Sequence, residues 1–422
     1  MQRVPAKKVI ITKDVEKDSL SMARAERLMT GIDAEEVVRG VDDAALCRII
    51  QADGLDKGCA RHGVKGKVES TIFFVKGRFT AAEEEKAKRK EQYPPLFANS
   101  GYRFHGYGGF DWRDSGSQKY RETTGLVCQP AYQLHTIFGC PFRCAYCSMG
   151  RIICMKVNLE EFVGHFDEWM KVDPNQTLYQ FDNGTDVACF EPEYGAAKLF
   201  VEYFAKRKTQ YLELYVGKSD NVDYLLDLDH RGHTVPCWSV SCQTQSTVIE
   251  RGTAPMRKRI DAARKCQLAG YPVRIRFSPM VPVRNWRQEN REMIEYLFSQ
   301  INPDVITFES IRFMNHDQMI KDFGEENLAP EFVEQMRRAK ADEKSRGCEV
   351  PDVYRVKMYE FIVNEIERIS PRTPYAFCRE KRDVWDIFQD DFVRHGQNPD
   401  KYLCNCGGLC TPTVLQAPAL SA

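Results

Sequence analysis

The stretch that decides the fold is YQLHTIFGCPFRCAYC, residues 132–147. An apolar run ends in a tight loop that carries Cys140, Cys144 and Cys147 at a C-x₃-C-x₂-C spacing. Three thiolates so spaced can bind three irons of a [4Fe–4S] cube, and no fourth cysteine follows closely enough to close the fourth. An open iron is a catalytic feature. A chelating amino and carboxylate pair can occupy it, and the reduced cluster can then pass an electron into an adjacent bond. Tyr146, in the second gap, can shield the cluster while its backbone meets a planar ligand. Zinc is the rival metal, but a structural zinc is closed by four ligands. Here His135 would supply the fourth only by facing into the loop from the preceding strand.

The chain around this loop has 422 residues, 43% hydrophobic and 28% charged, so it buries a core in one large domain with additions or in two to three domains. Sixty basic residues balance sixty acidic ones, which removes any global electrostatic drive toward nucleic acid or an anionic membrane. No apolar run approaches the roughly 18–20 residues of a membrane span, and the N-terminus has no apolar signal core with a small-residue cleavage site. A cytoplasmic protein without membrane association is expected. In a reducing compartment the sixteen cysteines are metal ligands where clustered and packing residues where isolated, as at Cys47, Cys59, Cys128, Cys266 and Cys348.

From about 130 to 310 strands and helices alternate. Strands are expected at 132–138, 177–181, 211–216, 234–240, 271–281 and 304–310. Helices are expected at 158–171 (Asn158 capping, with Glu161 three positions on), 196–207, 221–228, 256–270 and 287–301. Six strands alternating with helices imply a parallel sheet, and function then belongs at the C-terminal ends of the strands, where the cysteine loop lies. The expected fold class is α/β, a partial (β/α)6 TIM-like barrel over 126–345. It is flanked by an N-terminal extension at 1–125, on the substrate side or as a cap, and a cysteine-containing extension at 346–422. Residues 1–125 are charged and poor in clear periodicity, with an exposed helix at 80–90 and a Gly- and aromatic-rich stretch at 101–116 that either covers the core or stacks on a flat substrate, the first being favoured. After about 345 the alternation is expected to end.

The cysteine loop at the end of the first strand of such a chain resembles the radical S-adenosylmethionine superfamily. "YVGKSDNVDYLLDLDHRGHTVPCWSVS", "ERGTAPMRKRIDAARKCQLAGYPVRIRFSPMVPV" with Trp286, and "ITFES" more narrowly resemble spore photoproduct lyase and its relatives. The resemblance implies a [4Fe–4S] cluster on Cys140, Cys144 and Cys147 and S-adenosyl-L-methionine bound at its open iron. Reductive cleavage to a 5′-deoxyadenosyl radical would follow, with an electron donor such as flavodoxin or ferredoxin. It also implies cofactor contacts at Lys218 and Ser239, at Asp186 with Asn183, Gly184 and Thr185, and along Ser278 to Met280 in "SPMV".

The chain departs from that family at two places. Asn183 stands where the lyases carry a hydrogen-donor cysteine, and Ser148 where they carry a tyrosine. An amide N–H bond is too strong to give up a hydrogen atom. Either Cys189, Cys237 or Cys242 is a relocated donor, or the reaction is a rearrangement in which 5′-deoxyadenosine returns the hydrogen. The expected substrate is a thymine-type base in DNA or a nucleotide, with lyase or isomerase chemistry in place of standard photoproduct repair. A basic groove from Arg274, Arg276, Arg284, Arg287 and Arg312 would favour nucleic acid. The alternatives are a small metabolite or peptide substrate and, in another class, a non-catalytic iron–sulfur or zinc protein that binds nucleic acid. A second group, Cys404, Cys406 and Cys410 with Cys378 upstream, can hold an auxiliary iron–sulfur cluster, a zinc ion or no metal.

Overall fold

The computed structural model describes residues 1–57, 70–98, 103–113, 118–127, 131–147, 149, 152–174, 176–312, 314–341, 350 and 352–395. It divides into two compact units. The first is Met1–Asp111 with Gln133–Arg143 and Cys147–His233. The second is Trp112–Tyr132 with Cys144–Tyr146 and the chain from Thr234 onward.

The first unit holds a five-stranded sheet in the order Ile32–Val41, Val4–Thr12, Thr71–Val75, Ile152–Lys156, Ile137–Phe138. Its first three pairings are parallel and the last is antiparallel. Every residue of TIFFV at 71–75 is buried, as a central parallel strand covered on both faces requires. Ile10, Val41, Leu46, Ile50, Phe73, Leu96, Phe104 and Ile152 form the core on one side. Asp18 and Asp42 cap the helices Ser19–Met29 and Asp43–Ala52 through the amides of Ser21 and Ala45. Sequence periodicity missed these parallel strands in residues 1–125. The exposed helix appears at Glu83–Gln92, and Phe104 of the aromatic stretch packs on Phe73 at 4.7 Å, covering the core.

The same unit carries the parallel pair Leu178–Phe181 and Tyr211–Gly217, with the helix Ala196–Phe204 between them in sequence. The helix expected at 158–171 is broken at His165 into Leu159–Gly164 and Phe166–Trp169. Asn158 makes no cap there. Its Oδ1 accepts the Gly77 amide and its Nδ2 donates to the Gly77 carbonyl and to Glu161. The first expected strand is likewise divided, into Ala131–Leu134 and Ile137–Phe138, and the helix at 221–228 is a single 3-10 turn.

The second unit contains four parallel strands in the order Tyr375–Phe377, Ile306–Ser310, Arg274–Met280, Thr234–Ser239. Helices Met256–Leu268, Trp286–Gln300 and Asp352–Ile369 accompany them. Phe308 stacks on Phe277 at 5.8 Å and on Tyr375 at 5.5 Å, so one face of this sheet is a continuous aromatic layer. The alternation does not stop at 345. A helix and a further parallel strand follow, because the ladder edge of Ile306–Ser310 needs a partner. Glu380 anchors this region from a fully buried position, with Arg355 at 2.9 Å, Arg312 at 3.3 Å and the Tyr359 hydroxyl at 2.9 Å.

Candidate active site

In the first unit the expected residues gather at the C-terminal ends of Leu178–Phe181 and Tyr211–Gly217. Asp182, which sequence reading missed, is the organising group there and is fully buried. Its Oδ1 lies 2.6 Å from His135 Nδ1 and accepts the Gly184 amide at 3.0 Å. Its Oδ2 accepts the amides of Thr136 and Ile137. His135 is therefore engaged with a carboxylate through Nδ1. Asn183 is exposed, and Gly184 and Thr185 are half-buried beside it.

Asp186 is buried and directed inward. Its Oδ2 accepts the Lys218 amide at 2.6 Å and its Oδ1 accepts the Cys189 thiol at 3.5 Å. Gly217 has φ +76°, and a Cβ there would lie 2.5 Å from Asp186 Oδ2, so this close approach requires glycine. Lys218 follows at the strand end, half-buried. Burial, then the Asp186 charge, holds the Cys189 thiol protonated well above its ordinary range.

Gly139, immediately before Cys140, has φ +95°, and a Cβ on it would stand 1.9 Å from the Ile152 carbonyl oxygen. Cys140 and Cys147 are half-buried and Cys144 is buried, and none of the three is in a disulfide. Among the described residues no three His, Cys, Asp or Glu side chains converge as a single-ion site. A cube binds each thiolate on a different iron, so its ligands have no common point to meet at. Three closely spaced cysteines on a loop that begins after Gly139 fit such a cluster. Thr185 Oγ1, a buried hydroxyl with no hydrogen-bond partner among the described residues, fits a polar ligand at the neighbouring strand end.

In the second unit Cys144–Tyr146 is tied down by the Ala145 amide, which donates to the Ile249 carbonyl at 2.9 Å, and by Tyr146, whose hydroxyl donates to Glu250 at 2.7 Å. Ser239 and Ser278 are half-buried and Met280 is buried, at the C-terminal ends of their strands. The Ser278 hydroxyl donates to Glu309 at 2.7 Å. Burial pushes the Glu309 carboxyl up, with Cys378 adding to the effect and Arg379 and Arg276 opposing it. Cys378 is buried at the end of Tyr375–Phe377, with the Arg276 guanidinium 3.5 Å from its sulfur. Cys404, Cys406 and Cys410 lie outside the described residues, as do Cys59, Cys128, Ser148 and Cys348.

The five-arginine groove does not form. Arg274, Arg276 and Arg312 are buried, with Arg274 on Asp304 at 2.9 Å and Arg312 on Glu380. Arg287 pairs with Glu331 at 3.4 Å, and of the five only Arg284 is exposed. Arg274 and Arg276 lie in a strand that buries them, and acidic side chains pair with Arg274, Arg287 and Arg312.

The C-x₃-C-x₂-C loop at a strand end, on a mixed α/β fold with parallel sheets, and the family match place the chain in the class of radical S-adenosylmethionine proteins. Within that class the chain belongs to the spore photoproduct lyase family, whose family model, "Spore photoproduct lyase", matches residues 128–369, more than half of the chain. It is 30% identical over 191 residues to a spore photoproduct lyase of Bacillus subtilis, covering 43% of this chain and 56% of that protein. It is 26% identical over 200 residues to one of Clostridium acetobutylicum, covering 45% and 59%. The matched region thus spans a little over half the length of these curated relatives. A solved spore photoproduct lyase complexed with dinucleoside spore photoproduct has a TM-score of 0.59 at 17% identity, covering 88% of this chain and 98% of that one. A substituted form with bound AdoMet and dinucleoside spore photoproduct gives 0.58 at 16%, covering 89% and 99%. At these identities the likeness shows the fold.

Proposed function

We propose that this protein is a radical S-adenosylmethionine enzyme acting on a thymine-type base, in DNA or as a nucleotide, by lyase or isomerase chemistry. The observation that carries the reading is the Cys140, Cys144 and Cys147 loop in a chain of this family. In this reading the strands from 131 to 310 form a partial (β/α)6 barrel. The three thiolates hold a [4Fe–4S] cluster, and Lys218, Ser239, Ser278, Met280 and the turn from Asn183 to Asp186 bind the cofactor. S-adenosylmethionine bound at the open iron would supply, after one electron from a flavodoxin or ferredoxin, a 5′-deoxyadenosyl radical that takes hydrogen from the substrate.

The residues of this chain govern how the substrate radical is quenched. Asn183 offers no transferable hydrogen atom. Cys189 and Cys237 are fully buried and Cys242 is 2% exposed, which disfavours a relocated thiol donor. The hydrogen taken from the substrate is therefore returned to the product from 5′-deoxyadenosine, as in a rearrangement. The thymine-type substrate is supported by the family and not by a basic groove. A second metal at Cys378, Cys404, Cys406 and Cys410 rests on four thiols alone, and iron and zinc contents unchanged by serine substitution there remove it.

The test is anaerobic. Reconstituted protein receives S-adenosylmethionine and dithionite, and 5′-deoxyadenosine is quantified beside a Cys144→Ala control. Formation by the wild type alone supports the reading, and absence from both with the cluster intact overturns it. Thymidine-containing DNA and nucleotides are then offered in D₂O. Faster turnover with no solvent deuterium in the product supports internal return. Deuterium in the product points to a protein donor.

A further inference from the structure

Glu250 is a buried acidic side chain that the cofactor contacts expected from the sequence do not use. Glu250 is 1% exposed and faces Arg259, itself fully buried, at 2.7 Å. Its Oε1 accepts the Tyr146 hydroxyl at 2.7 Å and Gln245 Nε2 at 3.0 Å, and its Oε2 accepts the Ser241 hydroxyl at 2.7 Å. Each partner reaches onward. Arg259 donates to the Ser239 carbonyl at 3.0 Å and to Ser241 Oγ at 3.3 Å. Gln245 donates to the Pro279 carbonyl at 2.7 Å and accepts the Val281 amide at 3.0 Å.

One buried carboxylate thereby joins three separate segments: the cysteine loop at Tyr146, the end of the strand that carries Ser239, and the turn at 279–281. Desolvating an ion pair costs about as much as its attraction returns, so such a pair is a poor source of stability. A fully satisfied polar network does fix geometry, because no rearranged packing offers all its members partners.

We propose that Glu250 is a positioning residue. Paired with Arg259, it holds the cysteine loop, through Tyr146, in register with the two strand ends that meet the cofactor. The inference rests on the functional reading above, in which those segments carry the cluster and S-adenosylmethionine.

The test uses the full chain, anaerobically reconstituted, and reads the rate of iron loss to a chelator, equilibrium binding of S-adenosylmethionine, and thermal unfolding. Glu250→Gln is expected to speed iron loss and weaken cofactor binding about tenfold each, the size of effect that residues behind metal ligands exert. Tyr146→Phe, which deletes one hydroxyl, is expected to speed iron loss with little change in cofactor binding or unfolding temperature. Glu250→Asp restores part of the loss. The double variant loses iron no faster than Glu250→Gln alone, because Tyr146 acts through that carboxylate. Tyr203→Phe, which removes a hydroxyl from Asp167 in the first unit, serves as the control. Iron-loss rates unchanged in Tyr146→Phe, or matched by Tyr203→Phe, overturn the proposal, as do fully additive effects in the double variant. If Glu250→Gln does not fold, Tyr146→Phe decides alone. A wild-type chain that takes up no cluster overturns the functional reading itself, and this inference with it.

Discussion

Asp186 Oδ2 accepts the backbone amide of Lys218 at 2.6 Å. The carboxylate that the family resemblance proposes for the cofactor thus also fixes the strand end from which Lys218 projects. Asp186→Ala should cost about 1–3 kcal/mol, the desolvation penalty of a buried amide left unpaired. Denaturant titration measures this. Asp186→Asn, which keeps an acceptor, should lose less. A stability equal to wild type in Asp186→Ala would mean that the amide finds another partner.

Gly139→Ala should be more severe. The left-handed conformation alone costs a residue with a Cβ about 1–2 kcal/mol, and the added carbon would stand 1.9 Å from the Ile152 carbonyl oxygen. The expected outcome is a lower unfolding temperature and iron uptake reduced several-fold under conditions that load the wild type.

Lys156 is 1% exposed, and burial first, then the Arg103 charge, lowers its ammonium pKa to about 7. Its Nζ donates to the Gly108 and Tyr107 carbonyls. The unfolded chain holds this proton up to the ordinary lysine range, while the folded chain releases it near neutrality. Between those values the unfolded state binds more protons, so stability rises with pH. The stability of wild type minus that of Lys156→Met should therefore grow from pH 7 to 9, by at most about 1.4 kcal/mol per pH unit. A flat difference would show that the amine stays charged in the fold.

Arg355 and Glu380 form a bidentate pair, with exposures of 1% and 0%. Glu380→Ala removes the carboxylate that Arg355 and Arg312 share and should cost about 3–5 kcal/mol. Arg355→Met with Glu380→Leu should recover the part owed to Arg355, while Arg312 still lacks this carboxylate. Chemical unfolding midpoints distinguish the two.

Much of the second unit was legible in the sequence, because its strands and helices carry clear apolar periods. The expected strand at 304–310 appears at Ile306–Ser310, and the helix at 287–301 appears at Trp286–Gln300. The parallel strands of residues 1–125 were missed, since a wholly buried run such as TIFFV has no alternation and separates from a helix only by its length and β-branching. The cysteine loop was legible from spacing alone. The groups that hold it were not, because hydrogen bonds across more than a hundred residues leave no local pattern, as between Tyr146 and Glu250. One signal was available. Arg259 lies on the same helical face as Met256, Ile260, Ala263 and Cys266, and a charge on an apolar stripe requires a buried counter-charge.

The strand Tyr375–Phe377 has a practical consequence for dissecting the molecule. A chain ended near 345, where the sequence suggests a boundary, would strip Ile306–Ser310 of its neighbour and bare a row of unpaired amides and carbonyls beside Phe308. Such an edge recruits strands from other molecules. The shortened protein should come out of the cell as aggregate, and a soluble minimal core needs the chain at least through Phe392, which packs on Tyr375 and Phe377.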